Sequence, residues 1–319
     1  MKYVMFLVKS TFMDATYSEI YENTDVLIYR ELKNRFLNQI RNIHTSIKLN
    51  QYFTIPFQSV WKHTFFDEKK LAKDEECIFL FEEGNKQAYN KAYLTYIRYK
   101  YKKAKLCFLF WNPSNYLKSK YIDFVNNTYD LIISFDTQDC KKYGWVHYSG
   151  IYSKPNNYVS NNNPKYDIFF VGHNKGRLEK LRALYNRFIE NGLNCDFYIS
   201  KVQQDECLQD GIHYNEYLSY EDVIKHIQNS KAILEVLQEG QHGSTLRPME
   251  ALVYERLLLT NNKEVKDERY YYDKQFYIFD DIEKIDIREI AELCESNDTF
   301  TYKGNLSPRI FLKFLEERY

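Results

Sequence analysis

Two short stretches carry residues whose types and spacing could do chemistry. The denser runs from Glu235 to Glu250, EVLQEGQHGSTLRPME. An apolar run leads into a polar loop with Gly240 and Gly243, where a backbone can approach a ligand closely. Ser244 or Thr245 can cap the helix that follows, leaving its first N–H groups free for an anion. Arg247 offers a planar two-pronged donor suited to a diphosphate. Glu250 lies one helical turn further on the same face, where a carboxylate can reach the two hydroxyls of a ribose. The plainer alternative is a surface ion pair between Arg247 and Glu250. The second stretch is Gly172-His173-Asn174-Lys175-Gly176-Arg177, a glycine turn between an apolar run and a helical pattern. A helix N-terminus here, with Asn174, Lys175 and Arg177, favours a phosphate. The pattern is neither G-x-G-x-x-G nor a P-loop, so it specifies no dinucleotide or ATP. The alternative is an ordinary turn that needs glycine for backbone reasons.

These stretches need a scaffold. Tyr166–Val171 and Cys195–Ile199 read as buried strands separated by an amphipathic helix over Arg177–Glu190. Ser219 opens a helix, Ala232–Leu237 reads as a strand, Thr245–Tyr254 as a helix, and Arg256–Thr260 and Phe276–Phe279 as strands. The first half repeats this grammar. Its strand candidates are Tyr3–Val8, Cys77–Phe81, Leu106–Trp111 and Leu131–Phe135, with helical patterns over Asp25–Leu49 and Lys86–Lys105. Near-continuous apolar runs alternating with helices predict α/β units with parallel sheets covered on both faces. The polar segment Ser153–Lys165, with two prolines and five asparagines, reads as a linker. The expected division is 1–153, a linker over 154–165, a second domain over 166–304, and a final helix over 305–319 opened by Ser307 and Pro308.

Composition narrows the classes. At about 150 residues per domain, 319 residues make two domains. Lys+Arg and Asp+Glu are both 44, a balance that argues against a nucleic-acid binder. The 30 Tyr and 22 Phe point to aromatic cores. The six cysteines form no C-x-x-C pair and no zinc spacing, and Cys77, Cys107 and Cys195 fall in apolar runs, so a reducing, cytoplasmic setting is expected. The apolar start Tyr3–Val8 is too short for a signal peptide, and no run approaches a membrane span. Membrane contact, if made, would be peripheral, and the basic, Tyr-rich segment Tyr89–Lys105 is the candidate for it.

Longer matches now support a resemblance. Tyr217–Ile224 (YLSYEDVI), Ser230–Leu237 (SKAILEVL), the spaced set Gln241, Gly243, Thr245, Arg247 and Glu250, and Leu257–Asn262 (LLLTNN) resemble the C-terminal domain of two-domain GT-B glycosyltransferases. Within that class the chain looks most like bacterial enzymes of lipopolysaccharide, O-antigen and capsule assembly. Asp130–Gly144 adds to the likeness, which spans roughly residues 130–280.

The resemblance implies two Rossmann-like domains facing across a cleft, with the last helix packing back on the first. It implies a nucleoside-diphosphate sugar as donor and a glycan or lipid-linked glycan as acceptor. Glu250 would bind the ribose. Gly172, Asn174, Lys175, Arg177, Gly243, Ser244, Thr245 and Arg247 would face the diphosphate. Many such enzymes carry a second Glu eight residues before the ribose Glu; His242 stands there in this chain, so no stereochemical outcome follows, and His242 could donate to a phosphate oxygen instead. The sequence holds no D-x-D, so neither metal nor other cofactor is expected, and Arg247 would stabilise the leaving diphosphate. An inverting reaction needs a general base, for which Glu83 is preferred over Glu82, Asp14 and Asp136. A nucleotide-sugar epimerase of the same architecture and a non-catalytic nucleotide- or sugar-binding subunit are the alternatives.

Overall fold

The computed structural model describes residues 1–46, 49, 55–156, 158–237, 243, 245–296 and 299–319. The chain divides into two compact units, Met1–Ser149 with Pro308–Tyr319, and Gly150–Ser307.

In the first unit, β1 (Lys2–Phe6), β2 (Val26–Ile28), β3 (Cys77–Glu82), β4 (Ala104–Phe110), β5 (Leu131–Ser134) and β6 (Val146–His147) form one parallel sheet, ordered β2-β1-β3-β4-β5-β6. All six residues of β3 are buried. Phe6, Phe79, Phe81, Phe108 and Phe110 meet Tyr93, Tyr101 and Tyr129 from the covering segments, which accounts for much of the aromatic content. The final helix, Pro308–Glu316, belongs to this unit. It buries Phe311, Leu312 and Leu315, and Tyr3 donates its hydroxyl to Glu316 at 2.5 Å.

Two helical expectations are corrected in this unit. The pattern over Asp25–Leu49 holds a three-residue strand, Val26–Ile28, before a helix from Arg35 to His44, started by Asn34, whose side chain accepts from Leu37 N. Lys86–Lys105 is broken at Asn90, which caps a helix over Lys91–Lys100, and β4 begins at Ala104. Tyr93, Leu94 and Ile97 of that helix are buried, while Tyr99 is exposed.

In the second unit, β7 (Tyr166–His173), β8 (Cys195–Ser200), β9 (His213–Tyr214), β10 (Ser230–Glu235), β11 (Leu257–Thr260) and β12 (Phe276–Ile278) form a second parallel sheet, ordered β12-β11-β10-β7-β8-β9. Helices Leu178–Glu190, Tyr220–Gln228, Leu246–Val253 and Ile287–Glu295 cover it. Leu181, Leu184 and Phe188 pack with Phe170 and Phe197, as the helical spacing requires. Residues of the polar segment 153–165 are tied to this unit: Lys154 pairs with Glu255 at 2.8 Å, and the Tyr158 hydroxyl donates to the Tyr254 carbonyl. Cys77, Cys107 and Cys195 are buried, and burial pushes their thiols upward in pKa.

Candidate functional site

The order of the second sheet fixes where a site can form. The chain leaves β7 toward β8 and β9 on one side and returns at β10 on the other, so neighbouring β7 and β10 mark a reversal of strand order. Ligands of open parallel sheets bind beyond the carboxyl ends of the strands at such a reversal. Both stretches singled out in the sequence leave the sheet there, one after β7 and the other after β10.

The first stretch is built by its glycines. β7 runs on to His173, so Gly172 lies in the strand and the turn is Asn174–Arg177, closed by Arg177 N donating to Asn174 O at 3.0 Å. Lys175 (φ 47°) and Gly176 (φ 76°) are both left-handed. A Cβ on Gly172 would lie 3.1 Å from the Arg177 guanidinium and 3.2 Å from the Phe170 ring, so a larger residue would push on both where Arg177 folds back over the strand. The guanidinium sits 5.6 Å above the Phe170 ring and donates to the His173 carbonyl at 3.2 Å. Among the described residues, its buried Nε has no hydrogen-bond partner, nor has Oδ1 of Asn174. Arg177 stands at the start of the helix Leu178–Glu190 without a side-chain cap. Burial lowers its pKa, against the pull of Glu235.

The second stretch is organised by a carboxylate. Glu235 ends β10 and is 4% exposed. It accepts hydroxyl hydrogen bonds from Thr245 and Thr260. Burial raises its pKa, and the two hydroxyls with Arg247 and Arg177 oppose that rise. Thr245 has two tasks: its hydroxyl also accepts from Arg247 N at 3.2 Å, capping the helix Leu246–Val253. Gly243 (φ 86°) donates its N–H to Glu264 at 2.9 Å, and its carbonyl accepts from Asn262 at 3.1 Å. His242 and Ser244 lie outside the described residues.

Glu250 is 0% exposed, so its bond with Arg247 is an internal ion pair and not a surface one. One oxygen of Glu250 takes the Arg247 guanidinium, and the other accepts from the Tyr220 hydroxyl at 3.0 Å. Tyr220 in turn shares a 2.5 Å hydrogen bond with the Tyr152 hydroxyl. Both oxygens of the carboxylate expected to hold a ribose thus have protein partners in this conformation. Burial opposes the charge on Arg247, but Glu250, Tyr220 and Glu235 outweigh it and its pKa is raised.

Around one reversal point the fold therefore gathers two arginines, two buried carboxylates and two threonine hydroxyls. Such an arrangement gathers cationic and hydroxyl groups at one point, where an anion can compete for Arg247 with Glu250. Sequence reasoning missed Thr260, Tyr220, Tyr152, Asn262 and Glu264. It quoted Glu235 only as part of the strand, although a carboxylate closing an apolar run was a signal.

Glu83 belongs to the first unit, just beyond β3. One of its oxygens accepts from Trp111 N, Asn112 N and the Asn112 side chain at 3.0–3.3 Å, and burial raises its pKa. Its neighbour Glu82 is fully buried at the β1/β3 reversal of that sheet. Glu82 accepts from Val8 N at 2.6 Å and from the Trp111 indole at 2.8 Å. Burial, opposed by these donors and by Tyr17, pushes its carboxyl up to about 7. Asp136 caps the helix Thr137–Tyr143, and Asp14 accepts from the Tyr21 hydroxyl. Among the described residues, no group of three or more His, Cys, Asp or Glu is placed to hold a metal ion, and no helix is long and apolar enough to cross a membrane.

No family model matches the sequence, and no curated protein matches it. Solved structures do match in fold. An α-glucosyltransferase, solved with UDP and a 13-mer DNA containing a HMU base, aligns with a TM-score of 0.54 at 10% identity over 93% of this chain and 91% of its own. T4 phage BGT, solved with UDP-glucose, aligns with a TM-score of 0.43 at 15% identity over 93% and 90%. A chain of the GtfA/B complex aligns with a TM-score of 0.41 at 12% identity over 70% of this chain, which spans only 50% of that one. Two six-stranded parallel units, with the α-glucosyltransferase match over 93% of this chain, make the fold that of the GT-B class.

Proposed function

We propose that this chain is a glycosyltransferase that takes a sugar from a nucleoside-diphosphate donor held by the second unit. The observation that carries the reading is the convergence of Arg177, Arg247, Glu235 and Thr245 at the β7/β10 reversal, where the fold class places ligands. The GT-B neighbour solved with UDP supports the donor class. In this reading the Asn174–Arg177 turn, Gly243, Ser244 and Thr245 face the diphosphate, with Arg247 neutralising it as it leaves. For Glu250 to meet a ribose, Arg247 must turn from it toward the phosphates, so donor binding exchanges one anionic partner of the guanidinium for another. His242, next to this loop in sequence, is a further donor to the phosphates. The acceptor is a surface glycan or lipid-linked glycan. The acceptor proton goes to a carboxylate of the first unit, and Glu82, with its pKa near 7, joins Glu83 as the group to test. No metal enters the scheme.

The test is a thermal-shift panel of UDP, GDP, CDP, ADP and dTDP on the wild type, Arg247→Lys and Arg177→Gln. Alanine at 247 would leave Glu250 buried without its cation, so the milder variants are used. One nucleotide at 100 times its Kd should stabilise the protein by about 2.7 kcal/mol. That shift should shrink in both variants. No shift from any nucleotide on folded protein would overturn the donor site. Nucleoside-diphosphate release from the matching sugar donor, dependent on acceptor, then separates transfer from epimerisation and from binding alone.

A further inference from the structure

The segment joining β2 to β3 contains a helix turned inside out. Arg35–His44 carries Phe36, Ile40 and Ile43 along one stripe, with Leu37 beside it. In a helix on a protein core this stripe faces inward. Here Phe36 is 68% exposed, Ile43 55% and Leu37 43%. The face turned inward carries Arg41, at 0% exposure. The Arg41 guanidinium donates to the carbonyls of Arg30 and Thr64, the Tyr29 hydroxyl and Asn38, and lies 5.1 Å over the Phe65 ring. So many partners fix the helix with its polar side in and its apolar side out. Further along, Phe57 is 76% exposed and left-handed (φ 62°), and Val60, in the 3-10 helix Gln58–Thr64, is 57% exposed.

Charge says what covers this face. The chain as a whole balances 44 bases with 44 acids. From Leu32 to Phe66 there is no Asp or Glu at all, while Lys33, Arg35, Arg41, Lys48 and Lys62 are present. Lys33 and Arg35 are exposed at the start of the helix, next to Phe36 and Leu37. A partner protein with a mixed surface would leave these charges unmatched, whereas an anionic lipid leaflet meets both features at once. Apolar side chains enter the acyl boundary while flanking bases stay among the headgroups.

We infer that residues 33–46 and 55–62 carry a membrane-docking surface, which sets Phe36, Leu37, Ile43, Phe57 and Val60 into an anionic leaflet with Lys33 and Arg35 at the headgroups. The assignment stands on the first unit alone and does not use the transferase reading. It places the contact on this segment and not on Lys91–Lys100, where Tyr93, Leu94 and Ile97 are buried.

The experiment is sedimentation of the full chain with sucrose-loaded vesicles of phosphatidylcholine, with and without phosphatidylglycerol, in the absence of nucleotide. The wild type should pellet with the phosphatidylglycerol vesicles. The pair Phe36→Ser with Phe57→Ser, and separately Lys33→Glu with Arg35→Glu, should each weaken binding about tenfold or more. All these side chains are exposed, so the melting temperature of each variant should match the wild type. A third pair, Lys102→Glu with Lys103→Glu, should bind as the wild type does. Failure to pellet with phosphatidylglycerol overturns the inference. So do equal binding to phosphatidylcholine alone, loss only in the third pair, or a concentration-dependent dimer that the Phe36 and Phe57 changes abolish.

Discussion

The two units place a glutamate at the same point of the same kind of sheet and treat it in opposite ways. Glu82 ends β3 beside the β1/β3 reversal, and Glu235 ends β10 beside the β7/β10 reversal. Both are buried. Around Glu82 the donors are neutral: a backbone N–H and an indole. Around Glu235 two hydroxyls donate and two guanidiniums lie within electrostatic reach. The fold supplies the position, and the neighbours decide its use. A carboxyl near pKa 7 among neutral donors can exchange a proton at neutral pH. A carboxylate among arginines keeps those arginines charged and placed, and so prepares the spot for an anion.

The contrast can be broken most forcefully at Arg247. Arg247→Ala should destabilise the protein by about 3 kcal/mol or more, because Glu250 is left charged and unpaired in the interior. The pair is one-fifth open on the arginine side, which keeps the expected cost at the low end. Urea unfolding measures it. Arg247→Lys, which keeps the charge but not the fork, should recover most of the loss. An alanine variant as stable as the wild type would mean that Glu250 finds another partner and that the second unit is not organised around its arginines.

The carboxyl of the first unit carries its own pH prediction. Glu82 moves from 4.5 to about 7 on folding. The folded state therefore holds this proton between those values while the unfolded state has lost it. The contribution is fully present below about pH 4.5 and is lost as pH rises through 7, by about 3 kcal/mol in total. Unfolding free energies of the wild type at pH 5 and pH 8 should show that fall. Glu82→Gln should flatten it, whatever the variant's absolute stability. An unchanged slope would take Glu82 out of consideration as a proton carrier.

What the sequence disclosed follows from how far apart the partners lie. Thr245, Arg247 and Glu250 fall within six residues of one another, so their residue types alone suggested an anion site. The contacts that make the site join distant residues: Glu235 to Thr260, Glu250 to Tyr220, Tyr220 to Tyr152, and Arg177 to Glu235. No local pattern encodes them. Nine strands were legible as apolar runs, but Val26–Ile28, Val146–His147 and His213–Tyr214 are too short to show a period, and the first was absorbed into a helical pattern. The helix Arg35–His44 shows a different limit. Periodicity reveals that one face is apolar but not which face is turned inward, and Arg41 settles that through partners at residues 29, 30, 64 and 65.

Thr245 tests the second unit at its joint. Thr245→Val keeps the shape but removes a helix cap and one donor to a buried carboxylate. Together these should cost about 2 kcal/mol, and the nucleotide shift should weaken with them. Thr245→Ser, which keeps the hydroxyl, should retain both.

The smallest effect belongs to the matching position of the first unit, and it sharpens the contrast most. After β5, Asp136 begins the helix Thr137–Tyr143 much as Thr245 begins its helix after β10. Asp136 accepts from Asp139 N at 2.8 Å, and its own N–H donates to Ser134. These are the bonds of a cap, with no buried carboxylate depending on it. Asp136→Ala should therefore cost about 1 kcal/mol, and Asp136→Asn, which still caps, almost nothing. Neither should alter the nucleotide shift. If Asp136→Asn abolished sugar transfer while leaving stability and nucleotide binding intact, the base would be Asp136 and not a glutamate after β3. If it leaves transfer intact, the proton falls to Glu82 or Glu83, and the pH slope of Glu82→Gln chooses between them.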